Sequence, residues 1–294
     1  GEVRDEEGSL WFATFGGLDH YDPKKDLFHH FSHVPGDGGT LPHRAATALA
    51  KDRRHRLWVG SPAGLSLFDR SSNRMIRHVV APAIYAICPD PLSDDVLWLG
   101  TMDQGLLRYH VPTDTWRRMP LPLSSDEDRR VHHKIWSVVP DREDPTLLWL
   151  PIFGGGLDCF DTRKEHWQHV VGTGGRAECE GSDRVTAILQ DRRGRFWVGT
   201  DDRGLLSFDR KKKTFTPISL DFGGGVLSVW SLEEDAEGQL WMGTQTGLWC
   251  FNAEALTLRS FVRGDGLPEE SFFLRCAATE DGRLCFMTLQ GMVS

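Results

Sequence analysis

The chain has 294 residues, a mass of 33.2 kDa and a formal net charge of −8. That mildly acidic balance argues against nucleic acid as the main partner, because binding the phosphate backbone favours a basic face. Eleven Trp within an aromatic content of 10% exclude a disordered chain, and no apolar run is long enough to span a bilayer.

Read from the N-terminus, one strand signature returns again and again: Leu or Phe, then Trp, then usually an apolar residue, Gly and Thr. It appears as Leu10-Trp11-Phe12-Ala13-Thr14 and then as Leu57-Trp58-Val59-Gly60-Ser61. Next come Leu97-Trp98-Leu99-Gly100-Thr101 and Leu148-Trp149-Leu150-Pro151. Phe196-Trp197-Val198-Gly199-Thr200 and Leu240-Trp241-Met242-Gly243-Thr244 follow, and a last copy, Leu284-Cys285-Phe286-Met287-Thr288, has Cys in the Trp position. The copies lie 40 to 51 residues apart. Upstream of the Trp stands Asp-x-x-Gly, complete at Asp5, Asp191 and Asp235; Asp52 keeps the Asp but has His55 in the Gly position. In the third and fourth copies, Asp90 to Trp98 and Asp141 to Trp149, this turn is two residues longer. Downstream come Gly17, Gly64, Gly105, Gly156, Gly204, Gly247 and Gly291, then apolar runs that end Tyr21-Asp22, Phe68-Asp69, Tyr109-His110, Phe160-Asp161, Phe208-Asp209 and Phe251-Asn252.

Each unit therefore holds four short runs of β-branched, Leu and aromatic residues punctuated by Gly, Asp and Pro turns. One such sheet cannot bury both faces alone, whereas sheets stacked radially cover one another and leave only short edges. No long stretch carries the i, i+3, i+4, i+7 pattern of a helix. The expectation is an all-β, seven-bladed β-propeller with four-stranded antiparallel blades. It forms a single domain over residues 1–294, with blades centred on Trp11, Trp58, Trp98, Trp149, Trp197, Trp241 and Cys285. The ragged first and last copies, and Gly1 in place of Met, point to a piece of a longer receptor.

These motifs resemble the two-component regulator propeller repeat, whose pattern runs Val-x-x-Ile-x-x-Asp-x-x-Gly-x-[Leu/Phe]-Trp-x-Gly-Thr-x-x-Gly-Leu-x-x-[Phe/Tyr]-Asp. The copy from Val185 to Asp209 follows it nearly throughout, and Thr40-Leu41-Pro42 and Gly266-Leu267-Pro268 match its lead-in. The resemblance implies the periplasmic sensor part of a membrane-anchored two-component receptor that responds to an oligosaccharide or related small molecule. It also implies an adjacent β-sandwich, membrane-linked signalling domains such as a histidine kinase, and a homodimer. No catalytic activity is expected of the sensor itself, and no cofactor.

Candidate ligand-binding residues come from the segments that such a fold brings to one rim. In the second position of each innermost strand stand Thr47, Tyr85, Trp136, Thr186, Trp230 and Leu274. Tyr85, Trp136 and Trp230 either stack on a sugar or pack against the next blade. Arg44, Lys134 and Arg184 stand just before these strands, with Arg275 near the end, and Asp103, Gln104, Phe153, Asp201, Arg203, Gln245 and Gln290 occupy the turns that follow the Trp strands. Loops on a rigid scaffold carry function, and pockets combine apolar walls with a few polar groups.

The recurring Trp reads first as core, and the recurring Asp as a turn former. Adjacent His29-His30 and His132-His133 point to opposite faces of a strand, and no carboxylate or Cys stands at ligand spacing, so no metal is expected. The six cysteines, Cys88, Cys159, Cys179, Cys250, Cys276 and Cys285, show no CxxC spacing. Cys276 and Cys285 flank one hairpin, where a disulfide is conceivable. No nucleophile elbow, Walker loop or His-Glu-x-x-His is present. Two rival functions stay open, a propeller-fold polysaccharide hydrolase or lyase and a protein-interaction or dimerisation scaffold.

Overall fold

The computed structural model describes residues 2–78, 82–120, 134–152, 154–171, 184–219, 227–267, 276–278, 284–287 and 292–293. Its strands fall into consecutive sheets. The first blade is β1 (Glu2–Arg4), β2 (Leu10–Thr14), β3 (Gly17–Asp22) and β4 (Leu27–Phe31); the second is β5 (Ala48–Lys51), β6 (Leu57–Ser61), β7 (Gly64–Asp69) and β8 (Arg74–Arg77). The third is β9 (Ile84–Pro89), β10 (Val96–Thr101), β11 (Leu106–His110) and β12 (Thr115–Arg118); the fourth is β13 (Val139–Pro140), β14 (Leu147–Ile152), β15 (Gly156–Asp161) and β16 (His166–Val171). The fifth is β17 (Val185–Gln190), β18 (Phe196–Thr200), β19 (Leu205–Asp209) and β20 (Thr214–Pro217); the sixth is β21 (Val229–Glu234), β22 (Leu240–Thr244), β23 (Gly247–Asn252) and β24 (Thr257–Phe261).

The expectation of seven blades is corrected here, because the described residues form six four-stranded blades. The last copy gives a three-stranded sheet, β25 (Cys276–Ala278), β26 (Leu284–Met287) and β27 (Met292–Val293). It carries Cys285 instead of the indole. Its register pairs Cys276 with Phe286 and Ala277 with Cys285, so the two cysteines are not cross-strand partners.

The chain forms two compact units, residues 1–140 with 161–166, and 141–160 with 167–294. Within each unit the blades interlock through the recurring Trp. In the first, the Trp11 ring meets Phe68 of the next blade at 4.7 Å and Trp58 meets Tyr109 at 6.0 Å. In the second, Trp149 meets Phe208 at 5.4 Å and Trp197 meets Phe251 at 5.9 Å. In these four blades the aromatic near the end of the third strand, Phe68, Tyr109, Phe208 or Phe251, is thus the receptor for the preceding blade's indole. Such edge-on and tilted pairs add about 0.5–1.5 kcal/mol beyond the area they bury.

A buried indole needs a partner for its N–H, and the recurring Asp supplies it. One carboxylate oxygen accepts the Nε1–H bond in every full blade: Asp5–Trp11 at 3.0 Å, Asp52–Trp58 at 2.8 Å, Asp90–Trp98 at 2.6 Å, Asp141–Trp149 at 3.0 Å, Asp191–Trp197 at 3.0 Å and Asp235–Trp241 at 2.7 Å. The other oxygen closes the turn by accepting backbone N–H bonds, as Asp52 does from Arg54 and Arg56 and Asp191 does from Arg193 and Arg195. One side chain therefore ties the hairpin turn to the interblade core.

The apolar strands also explain the cysteines. Cys88, Cys159 and Cys250 are buried; burial, with Asp90 nearby, pushes the Cys88 thiol up to about 12, and burial, with Asp235 nearby, pushes Cys250 up to about 11. Since the thiolate is the nucleophile, iodoacetamide is expected to leave both unmodified under native conditions and to label both in denaturant, as read by peptide mass spectrometry. Native labelling of Cys88 at the rate of a free thiol would contradict this burial.

Candidate functional site

The innermost strands do not run straight into their neighbours. Between β9 and β10, Gly100 pairs with Ala86 and Thr101 with Ile84, leaving Tyr85 as an extra residue. The same slip leaves Thr186 extra between β17 and β18, and Trp230 extra between β21 and β22. Each is a β-bulge, a device that bends a strand and re-aims a side chain, and bulges collect next to functional sites. In the third, fifth and sixth blades the variable slot noted in the sequence is therefore a bulge opposite the Gly-Thr that follows the Trp.

The slot has two uses. Thr47 and Thr186 each donate their hydroxyl to a backbone carbonyl of the next blade, Ile84 and Val229 respectively, and so serve blade cohesion. Tyr85 and Trp136 lean on each other instead, with centroids 5.1 Å apart and planes at 72°, and Trp136 is 42% exposed. The two rings, set nearly at right angles, make a corner in which the Trp136 indole is partly exposed.

That corner rests on a firm base. Ile135, next to Trp136, is fully buried, and its N–H donates to the Thr101 carbonyl at 2.9 Å. Gly100 permits the approach, since a Cβ there would lie 2.6 Å from the Ile135 carbonyl oxygen and 2.8 Å from its Cγ2. Lys134 and Trp136, on either side of Ile135, are both exposed. Across from them, the turn after β10 exposes Asp103, and Gln104 donates its N–H to the Thr101 hydroxyl at 3.0 Å.

In the second unit the candidate residues form a hydrogen-bonded cluster at the head of the fifth and sixth blades. Arg184 pairs with Asp201, whose N–H also donates to the Arg184 carbonyl at 3.0 Å. The Ser228 hydroxyl donates to the Asp201 carbonyl at 2.7 Å, and Ser228 N–H donates to Gln245 Oε1 at 2.9 Å. Trp230 occupies its bulge half-buried, and Arg203 is exposed with its N–H on the Thr200 hydroxyl at 3.0 Å. Arg184, Asp201 and Gln245 thus hold the blade heads together. Arg44 is exposed in the segment leading into β5. Phe153, Leu274, Arg275 and Gln290 lie outside the described residues.

The remaining polar clusters are structural. His30 Nδ1 bonds Asp19 at 2.6 Å, and His33 Nδ1–H donates to the Leu41 carbonyl at 2.7 Å. No group of three or more metal-ligating side chains converges among the described residues. A residue the sequence did not mark is Ser228, which links two blade heads; its only signal is its place two residues before Trp230.

Residues 180–202 and 223–246 match the family model described as the two component regulator propeller, which covers the best of the repeats read from the motifs. The chain is similar to "Histidine kinase P4" of Formosa agariphila, at 26% identity over 232 residues, or 61% of this chain. It superposes on the extracellular domain of BT4673 from B. thetaiotaomicron, assigned to a hybrid two component system, with a TM-score of 0.79, 17% identity and 99% of this chain covered. It also superposes on virginiamycin B lyase from Staphylococcus aureus, with a TM-score of 0.74 and 10% identity over 99% of this chain and 92% of that one. At such identities the superpositions establish the propeller fold alone. The chain spans 16% of the length of the kinase and 37% of the BT4673 chain.

Proposed function

We propose that this chain, as one propeller domain over residues 1–294, is the extracytoplasmic ligand-sensing part of a two-component signalling receptor. On this reading it faces the periplasm, binds an oligosaccharide and passes the event to an adjoining β-sandwich and membrane-linked histidine kinase, within a homodimer. The observation that carries it is the Tyr85–Trp136 corner, where the exposed Trp136 indole meets Tyr85 of a bulged strand. An exposed indole, with exposed Lys134 and Asp103 on the same blades' connecting segments, suits the apolar faces and hydroxyl edges of pyranoses. Signalling then requires that the ligand bind one receptor state more tightly than the other.

The reading is tested by thermal shift against a panel of glycan oligosaccharides. A ligand at a hundred times its Kd adds about 2.7 kcal/mol of stability. Trp136→Ala should leave the unliganded melting temperature nearly unchanged, because the ring is 42% exposed, yet weaken binding about 30-fold, the ~2 kcal/mol of a central aromatic anchor. Shifts that persist unchanged in Trp136→Ala would remove the corner from the site. Accumulation of a cleaved product would replace the sensor by a hydrolase or lyase, and the absence of any shift would overturn the glycan reading.

A further inference from the structure

We infer that β4, the outer strand of the first blade, is the surface through which two copies of this chain join, strand to strand about a two-fold axis; this rests on the homodimer of the reading above and gives it a place. The fourth strand of each blade is a sheet edge, where about every second residue turns its N–H and C=O groups away from the neighbouring strand. Such edges are guarded in natural sheets by Lys, Arg or Pro, or by a covering segment. β8 has Arg74 and Arg77, and the segment leading into its blade covers it: Met75 N–H donates to the Gly39 carbonyl at 2.8 Å and the Arg77 guanidinium to the Asp37 carbonyl at 2.8 Å. β12 has Arg117 and Arg118, β20 ends on Pro217, and β24 carries Arg259. β16 has none of these residues, but its Trp167 is buried. β4 has neither protection. Leu27-Phe28-His29-His30-Phe31 holds no Lys, Arg or Pro, no described strand pairs with its outer side, and Leu27 and Phe28 are 45% and 56% exposed.

Charge and register point to a second copy as the occupant. The chain carries −8 and repels its own copies over most of its surface, whereas β4 contains no Asp, Glu, Lys or Arg. Antiparallel pairing centred on His29 keeps all five residues of both strands paired and is self-complementary, as a closed two-fold requires. Leu27 then lies opposite the partner subunit's Phe31, and Phe28 opposite the partner subunit's His30. Apolar and aromatic pairs of this kind are what stabilise an antiparallel ladder. Two of the side chains are already set in place, since Phe28 leans on Tyr21 with centroids 4.6 Å apart and His30 Nδ1 bonds Asp19 at 2.6 Å.

Sedimentation velocity of this chain over a concentration series tests the assignment. A monomer–dimer equilibrium is expected, with an affinity that holds or rises as NaCl is raised, because salt screens the repulsion between acidic chains. His29→Lys sets two like charges face to face on the axis and should weaken the dimer roughly tenfold or more at an unchanged melting temperature. His29→Cys should form an intermolecular disulfide on mild oxidation, mapped by peptide mass spectrometry, because directly opposed residues of an antiparallel pair bring their Cβ atoms within disulfide reach. Ile76→Cys, 47% exposed on the guarded β8, should stay unlinked. If His29→Lys lowers the melting temperature, the cross-link decides. A dimer that ignores His29→Lys and leaves His29→Cys unlinked overturns β4 as the surface while the homodimer stands. A chain that stays monomeric throughout the series, with His29→Cys unlinked, overturns both and leaves the glycan reading untouched. Growth beyond a dimer overturns the closed two-fold.

Discussion

Asp141→Ala is expected to destabilise the second unit by roughly 3–5 kcal/mol, the cost of breaking a buried charge pair from one side, and to lower Tm by on the order of 10 °C. The Asp141 side chain is fully buried and serves three structures at once. Its Oδ2 accepts the Trp149 indole N–H at 3.0 Å and the Arg210 guanidinium of the next blade at 2.6 Å, while its Oδ1 accepts the backbone N–H groups of Glu143 and Asp144 at 2.9 and 3.0 Å. Truncation leaves the buried indole donor without its acceptor, leaves Arg210 only its bond to the more exposed Glu143, and opens the turn. Asp141→Asn should fall in between, because an amide oxygen still accepts from Trp149 but no longer balances Arg210. Thermal unfolding followed by tryptophan fluorescence reads both variants, and a loss below about 1 kcal/mol for the alanine variant would contradict the role assigned to this carboxylate.

The same side chain sets an acid limb. Burial tends to raise the Asp141 pKa, but the bonds from Arg210, Trp149 and the turn N–H groups outweigh it and hold the carboxyl below its ordinary 3.8. Asp191 is lowered in the same way, burial being outweighed by the Trp197 and Arg195 bonds. A depressed native pKa contributes stability that is complete above the ordinary value and drains away as pH falls through the lower native value. Melting temperature should therefore hold down to about pH 4–5 and drop below it, and the Asp141→Asn variant should show a shallower drop than the wild type.

Gly100→Ala is expected to cost about 1–3 kcal/mol by overpacking and to weaken the ligand corner in the same step. The new Cβ would lie 2.6 Å from the Ile135 carbonyl oxygen, a backbone atom that cannot swing aside as a flexible side chain does. Relief requires Ile135 to retreat, which stretches its 2.9 Å bond to Thr101 and moves Trp136 away from Tyr85. Glycan affinity should fall in Gly100→Ala well below the melting temperature of that variant. Gly38→Ala is the control, since a Cβ there meets nothing within 4 Å, and it should be neutral in both measurements. Equal behaviour of the two variants would remove the close approach as the reason for glycine.

The repeat itself was legible in the chain. A Trp flanked by apolar residues, an Asp upstream, a Gly downstream and an aromatic before a turn are local features, each forced by strand alternation or turn geometry, and they marked the six four-stranded blades and the buried indoles of the first five. Asp as a turn former was equally local. Its second task was not, because the Asp–Trp separation is six residues in some copies and eight in others, and only the folded hairpin brings both lengths to one hydrogen bond. The blade count went the same way. The marker Leu284-Cys285-Phe286 counted as a seventh blade, but a blade needs four paired strands, and that copy makes a three-stranded sheet.

The site divides along the same line. Its residue types came from the sequence: a variable slot, three aromatics in it and cations just before it. Which of them stand open to a ligand was decided by partners far along the chain. Thr186 reaches the carbonyl of Val229 and Arg184 is held by Asp201, whereas Tyr85 meets Trp136 across the blade boundary. The bulges at Tyr85, Thr186 and Trp230 arise from strand register, and register is settled by the stacking of whole blades. Strand pattern and turn chemistry act over a few residues and are written in the sequence. The meeting of side chains from different blades depends on packing across the core, and so only the tertiary structure decides it.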